Sequence, residues 1–139
     1  MLDTGSKEQL VSYLSSDLGV TSLTEAESGL SIQLLANCSY YVNMLVNVES
    51  DGDGMRYRLT YTGTNGVTGL AYTDINLATT AVFSLNGTYA SAGLTRMFLV
   101  EGIVTTGAGG RLYLEVRKDT NAGGPSIIAA GAHLVARRI

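Results

Sequence analysis

Met55-Arg56-Tyr57-Arg58-Leu59-Thr60-Tyr61-Thr62 separates into two sets with a period of two. Met55, Tyr57, Leu59 and Tyr61 are apolar or aromatic, and Arg56, Arg58, Thr60 and Thr62 between them are charged or polar. Successive side chains of an extended strand point to opposite faces, so the stretch reads as a strand with one face in a core and the other in water. A helix would scatter the same residues around its circumference. The expectation is an all-β chain.

The upstream sequence keeps that period. Tyr40, Val42, Met44, Val46 and Val48 share one face opposite Tyr41, Asn43, Leu45, Asn47 and Glu49, giving a long strand that is fairly apolar on both sides. Before it, Leu30-Ser31-Ile32-Gln33-Leu34 alternates in the same way. Asp51-Gly52-Asp53-Gly54 separates two strong strands, and Asp-Gly is a strong short hairpin signal because glycine accepts positive φ without steric cost. The alternating acids also resemble the start of a calcium loop. The next alternate position is Met55, however, and the twelfth position from Asp51 is Thr62 where a bidentate Glu is needed. A hairpin is the favoured reading, with a cation held by Asp51 and Asp53 as the alternative.

The N-terminal part is patterned differently. Ser6-Lys7-Glu8-Gln9 has the form of a capping box, and Leu10, Val11, Leu14 and Leu18 recur near helical spacing before Gly19. This predicts a short amphipathic helix in an N-terminal arm spanning residues 1–28, followed by a β-domain over residues 29–139. A single helix cannot bury its own apolar stripe, so the arm must dock on the main domain or on another chain. Met1 to Gly5 carry no basic segment and lead into polar sequence, so neither a secretory signal nor a membrane span is expected.

Downstream, weaker strands fall around Val67 to Tyr72 and Ala81 to Leu85, with a turn at Asn86-Gly87. Arg96 to Thr106 and Arg111 to Lys118 are two strong strands joined by Gly107-Ala108-Gly109-Gly110, a connection suited to a hairpin. After a turn at Asn121 to Pro125, Ser126 to Ile139 closes the chain. There Ala130, Ala132, Leu134 and Ala136 share a face with Arg138, and His133, Val135, Arg137 and Ile139 share the other. Arg137 and Arg138 thus belong to a strand and read as edge or interface charges, not as a basic tail. About eight strands at regular spacing, with 17 Gly, one Pro and only 15% charged residues, indicate a sandwich or barrel.

Few residues combine into chemistry. The net charge of −3 argues against gripping nucleic acid, which needs clustered Lys and Arg. Cys38 is the single cysteine, so no intramolecular disulfide or all-cysteine metal site can form, and it reads as a small hydrophobe at a strand entry. His133 is the single histidine, which excludes a multi-histidine metal site, and no nucleophile elbow accompanies it. The glycine-rich loops lack the Lys-Ser/Thr of a phosphate loop. Glu25, Glu27, Glu49, Asp74, Glu101, Glu115 and Asp119 are scattered, and nothing selects a catalytic pair. Tyr40, Tyr57, Tyr61 and Tyr113 would bind sugars only as an exposed stripe; on a sheet, tyrosine is more often a core or interface residue. No catalytic, cofactor-binding or metal site is expected, and the chain reads as non-enzymatic.

Three stretches together resemble a known family. Leu30 to Ser50, an apolar strand running through Ala36-Asn37 to Tyr40 and a long second strand, is similar to the opening of jelly-roll domains in tailed-phage virion proteins. Met97 to Asp119 and Ile127 to Ile139 look like their closing strands: a Gly-containing strand, a glycine turn, a Leu-x-Leu strand, and a final strand of the form Ala-Gly-x-x-Leu-x-x-x-Arg. The similarity covers about residues 28 to 139. The chain departs from the pattern in Ala132, where Ser is usual, and in Tyr113 and Val116 of the second-last strand.

The resemblance implies an eight-stranded antiparallel jelly-roll β-sandwich acting as a structural virion protein. Specifically, it implies a capsid decoration or cement protein that binds the major capsid protein as a homotrimer. It would be made in the host cytoplasm, sit on the outer surface of the capsid, and stabilise the head, with no nucleic acid or membrane partner and no cofactor. The short arm without a stalk favours this role over its alternative, a receptor- or glycan-binding module of a head or tail fibre. Leu10, Leu14 and Leu18 are the candidate anchors of the arm, with their packing on the chain's own sandwich as the competing reading. His133, Arg137 and Arg138 are the further candidates for capsid or subunit contact.

Overall fold

A computed structural model describes residues 8–49, 55–63, 70–74, 79–83, 85–86, 88–91, 96–118 and 126–139. The described residues form twelve strands and no helix: β1 (Gln9–Tyr13), β2 (Leu18–Val20), β3 (Ala26–Leu34), β4 (Ser39–Glu49), β5 (Met55–Tyr61), β6 (Leu70–Asp74), β7 (Thr79–Phe83), β8 (Thr88–Ser91), β9 (Arg96–Thr105), β10 (Gly110–Lys118), β11 (Ser126–Ile128) and β12 (His133–Arg138). They build two antiparallel sheets. The larger runs β1-β12-β4-β9-β6-β7, with β11 joining β2 to β4, and the smaller runs β3-β10-β5-β8.

The chain changes sheet repeatedly. From β3 in the smaller sheet it passes to β4 in the larger, then to β5, to β6 and β7, to β8, to β9, to β10, and finally to β11 and β12. Such alternation makes the jelly-roll sandwich, in which sequence neighbours face each other across the core. Tyr40, Val42, Met44, Val46 and Val48 of β4 are all fully buried, as the period of two requires, and so are Met55 and Leu59 of β5 and Leu112 and Leu114 of β10. Ala132, just before the last strand, and Leu134 and Ala136 within it complete the core.

This connectivity corrects two expected hairpins. β4 and β5 lie in different sheets, so Asp51 to Gly54 connects sheets; residues 50–54 themselves are outside the described residues. β9 and β10 likewise lie in different sheets, and Gly107 to Gly110 is a corner. A hairpin and a corner both require sharp reversal and close backbone approach, so glycine does not distinguish them. At the corner a Cβ on Gly110 would run into the backbone of Gly63, and one on Gly63 would meet the Tyr61 hydroxyl and the Ala108 carbonyl. Tyr61 donates its hydroxyl hydrogen bond to that carbonyl, and the Thr62 amide donates to Arg111 O at 3.0 Å. Asn86 marks another crossing, between β7 and β8. It takes a φ of 64°, and its Oδ1 accepts from the Tyr61 amide at 3.1 Å.

The predicted N-terminal helix is also corrected. Gln9–Tyr13 pairs residue for residue with β12, and Leu18–Val20 pairs with β11. The Leu14 amide donates to Ala132 O at 2.9 Å, and the Gly131 amide donates to Leu14 O at 2.8 Å, which carries the ladder past the end of β1. Leu10, Leu14 and Leu18 are four apart, a spacing that lines one face of a strand as well as one face of a helix. The deciding factor is tertiary: β12 offers an open edge, and a lone helix of a few turns is marginal in water. Ser6 and Lys7 of the capping box lie outside the described residues.

Candidate interaction face

The outer faces of the two sheets differ sharply. On the smaller sheet Arg58 pairs with Glu25, its Nε lies 3.4 Å from Glu115 Oε1, and Thr60 donates to the same Glu115 oxygen at 2.7 Å. Arg111 pairs with Glu27 and lies over the Tyr113 ring, 4.4 Å from its centroid. These charges largely satisfy one another. Tyr40, Tyr57 and Tyr61 are buried, so the sugar-binding stripe is reduced to Tyr113 beneath an arginine.

The outer face of the larger sheet is mostly apolar, and strand register arranges it in rows. Gln9, Arg137, Tyr41 and Ile103 form one row across β1, β12, β4 and β9, Val11, Val135, Asn43 and Glu101 form the next, and Tyr13, His133, Leu45 and Leu99 form a third. Ile139 extends the face, its amide donating to Ser39 O at 2.9 Å. Six large apolar side chains are exposed among the described residues, and four of them, Val11 (54%), Tyr13 (66%), Ile103 (38%) and Ile139 (61%), stand here. Scattered exposed apolar residues are ordinary on a protein surface; four of six on one sheet face single that face out as the candidate.

Its polar groups in these rows are Gln9, Asn43, Glu101, His133 and Arg137. Tyr41 donates to Glu101 Oε2 at 2.6 Å, and this hydrogen bond, with partial burial second, raises the Tyr41 pKa above the ordinary phenol value. Arg137 stands on the other side of Tyr41 and makes no ion pair among the described residues. His133 Nδ1 lies 3.1 Å from Gly131 O, a contact in which the ring nitrogen donates.

The structure therefore divides the residues singled out from sequence. Leu10, Leu14 and Leu18 pack, partly buried, against the core of their own chain. His133 and Arg137 join the outer face. Arg138 lies 4.0 Å from Glu8 and, on a strand held between β1 and β4, is not an edge charge; nor is Arg137. Val11, Tyr13, Val135, Leu45 and Ile103 were not among the contact candidates; of these only Leu45 lies on β4, whose second face read as fairly apolar.

Elsewhere chemistry-bearing groups stay apart. Among the described residues no three of His, Cys, Asp and Glu converge in a way that would hold a metal ion. A groove of about 220 Å³ lined by Leu18, Val20, Ala26 and Val116 brings in Thr21, Ser22 and Glu27. Cys38 is half-buried, its amide donating to Thr106 Oγ1 at 3.0 Å.

No protein-family model matches the sequence, and no curated protein matches it. Solved structures do match the fold. The Eiger TNF of S. frugiperda superposes with a TM-score of 0.56 at 10% identity, over 96% of this chain and 92% of that one. Murine APRIL gives 0.50 at 9% identity, over 95% and 100%. At these identities the likeness establishes a shared jelly-roll fold and nothing finer.

Proposed function

We propose that the protein is a structural virion protein, a capsid decoration or cement protein of a tailed phage that assembles as a homotrimer and binds the major capsid protein on the outer surface of the head. The supporting observation is the difference between the two outer faces: one is covered by charges that largely satisfy one another, and the other exposes Val11, Tyr13, Ile103 and Ile139. A rigid body with a single adhesive face suits a repeated contact in an ordered array. The resemblance over residues 28 to 139 supplies the virion context, and the role is non-enzymatic, with the host cytoplasm as the place of synthesis.

The test uses the full chain, because removing residues 1–28 would strip β1 and β2 from the larger sheet. Purified capsids lacking the protein should bind it stoichiometrically and gain resistance to heat and low salt. Hundreds of copies per virion are expected. A few tens of copies, or binding to host cells or glycans in place of capsids, would move the protein to a fibre or receptor role. Capsids whose stability is unchanged by the protein would refute cementing.

A further inference from the structure

Across residues 8–14 no side chain is fully buried, whereas β3, β4, β5, β10 and β12 each bury alternate residues. Among the described residues the buried core begins at Val20, and Leu10 and Leu14 only pack against it, partly buried. The sandwich therefore closes its core without β1.

What holds β1 is mainly its backbone ladder. The Arg138 amide donates to Glu8 O at 2.9 Å, and the Leu14 amide donates to Ala132 O at 2.9 Å. Antiparallel ladders alternate, so the register of β1 on β12 points the amides of Leu10, Ser12 and Leu14 at β12, and those of Leu134, Ala136 and Arg138 back at β1. The Val135 amide points the other way, to β4. Beyond the ladder, the Ser12 hydroxyl oxygen accepts from the Ser31 amide at 3.0 Å. The segment also has a defined end. Ser15, Ser16 and Asp17 are exposed, and Asp17 Oδ1 accepts from the Ala130 amide at 2.8 Å, which pins the chain just before β2. β2 in turn is held by its ladder with β11 and by buried Val20.

We propose that residues 8–14 form a strap that lifts from β12 as one unit while the sandwich behind it stays folded. A segment with few buried contacts opens at far lower cost than the whole fold. Lifting makes β12 the edge of the larger sheet and bares the backbone groups of Leu134, Ala136 and Arg138, a row able to take an extended segment. Arg137 and Arg138 then stand on an edge strand, where their charge discourages indiscriminate pairing. The strap is a property of the single chain and stands whether or not the protein binds capsids.

Hydrogen exchange of the folded full chain, read residue by residue by NMR at low urea concentrations, tests it. The amides of Leu10, Ser12 and Leu14 should share one protection factor, at least about tenfold below those of Val42 and Met44 in β4, and should depend less on urea because lifting exposes little surface. Along β12 protection should alternate: Leu134 and Ala136 follow the strap, and Val135 between them stays as protected as β4. Ser12→Pro removes one ladder amide together with the hydroxyl. In that variant the strap should stay lifted, with Leu134 and Ala136 exchanging near the rate of an unfolded chain while Val135, Val42 and Met44 remain protected.

Equal protection at Leu134 and Val135, or strap amides with the protection and urea dependence of β4, would overturn the strap by making β1 part of the core unit. Protection that declines step by step from Leu14 to Leu10 would reduce the motion to fraying of an end and overturn it too. A Ser12→Pro chain that unfolds would show that the sandwich needs β1, with the same consequence.

Discussion

Ser12 of β1 clasps Ser31 of β3 across the side of the sandwich: the Ser12 hydroxyl oxygen accepts from the Ser31 amide at 3.0 Å and reaches Gly29 O at 3.4 Å. β1 belongs to the larger sheet and β3 to the smaller, so one hydroxyl links their edges. Leu14 packs beside it, close to where a Cβ on Gly29 would stand. Ser12→Ala should cost about 1 kcal/mol, the usual net value of one hydrogen bond. Leu14→Ala should cost about 1–2 kcal/mol, below the range for fully buried leucines because its site is only half-buried. Urea denaturation should show lower midpoints with an unchanged slope, since the same surface is exposed on unfolding.

The glycines divide into those that the packing requires and those that it does not. A Cβ on Gly110 meets backbone atoms of Gly63, which cannot swing aside, whereas a Cβ on Gly19 meets nothing within 4 Å. Gly110→Ala should destabilise by about 2–3 kcal/mol through overpacking, and Gly19→Ala should change stability by less than about 0.5 kcal/mol. Thermal melting of the two variants gives the comparison. Equal melting points would mean that the corner yields and that its close packing contributes little.

The strand period was legible because burial enforces it: every inward position from Tyr40 to Val48 and from Met55 to Tyr61 lies where alternation places it. Which strands pair was not legible. Asp51-Gly52 and Gly107-Ala108-Gly109-Gly110 have the chemistry of sharp reversals, but only the sandwich decides whether a reversal stays within one sheet or crosses to the other. Leu10, Leu14 and Leu18 were misread for a related reason, since a spacing of four serves either structure and the partner that selects a strand lies over a hundred residues away in β12. That misreading also hid Val11 and Tyr13, which strand geometry turns outward into the apolar face.

The two arginine clusters on the smaller sheet should differ in weight. Arg58 is about one-third exposed and faces both Glu25 and Glu115, so Arg58→Ala should leave two carboxylates close together and cost about 1–2 kcal/mol. Arg111 and Glu27 are 43% and 53% exposed, and solvent screens them; Arg111→Ala should cost about 0.5 kcal/mol or less. Repeating the denaturation in 1 M salt should shrink the first loss only in part and abolish the second. Equal losses at both sites would place the stabilisation in the packing of the arginine stems.

Alkaline unfolding should be governed by three tyrosines. Burial raises the pKa of Tyr40 and of Tyr61, and the hydrogen bond to Glu101 raises that of Tyr41. A raised value means that the folded protein keeps a proton which the unfolded chain has already lost. The contribution to stability is therefore intact below the unfolded value of about 10 and disappears as pH rises through the folded values. Stability should fall steeply above about pH 10, and part of the tyrosinate absorbance should appear only with unfolding. Tyr41→Phe should leave stability near neutral pH almost unchanged, because its hydroxyl is near the surface, while softening the alkaline fall. Tyr40→Phe should also soften that fall, but at a neutral-pH cost of about 1 kcal/mol, because the Leu35 amide loses the hydroxyl that it reaches at 3.0 Å. If the steep fall persists unchanged in both variants, neither Tyr40 nor Tyr41 governs the alkaline transition.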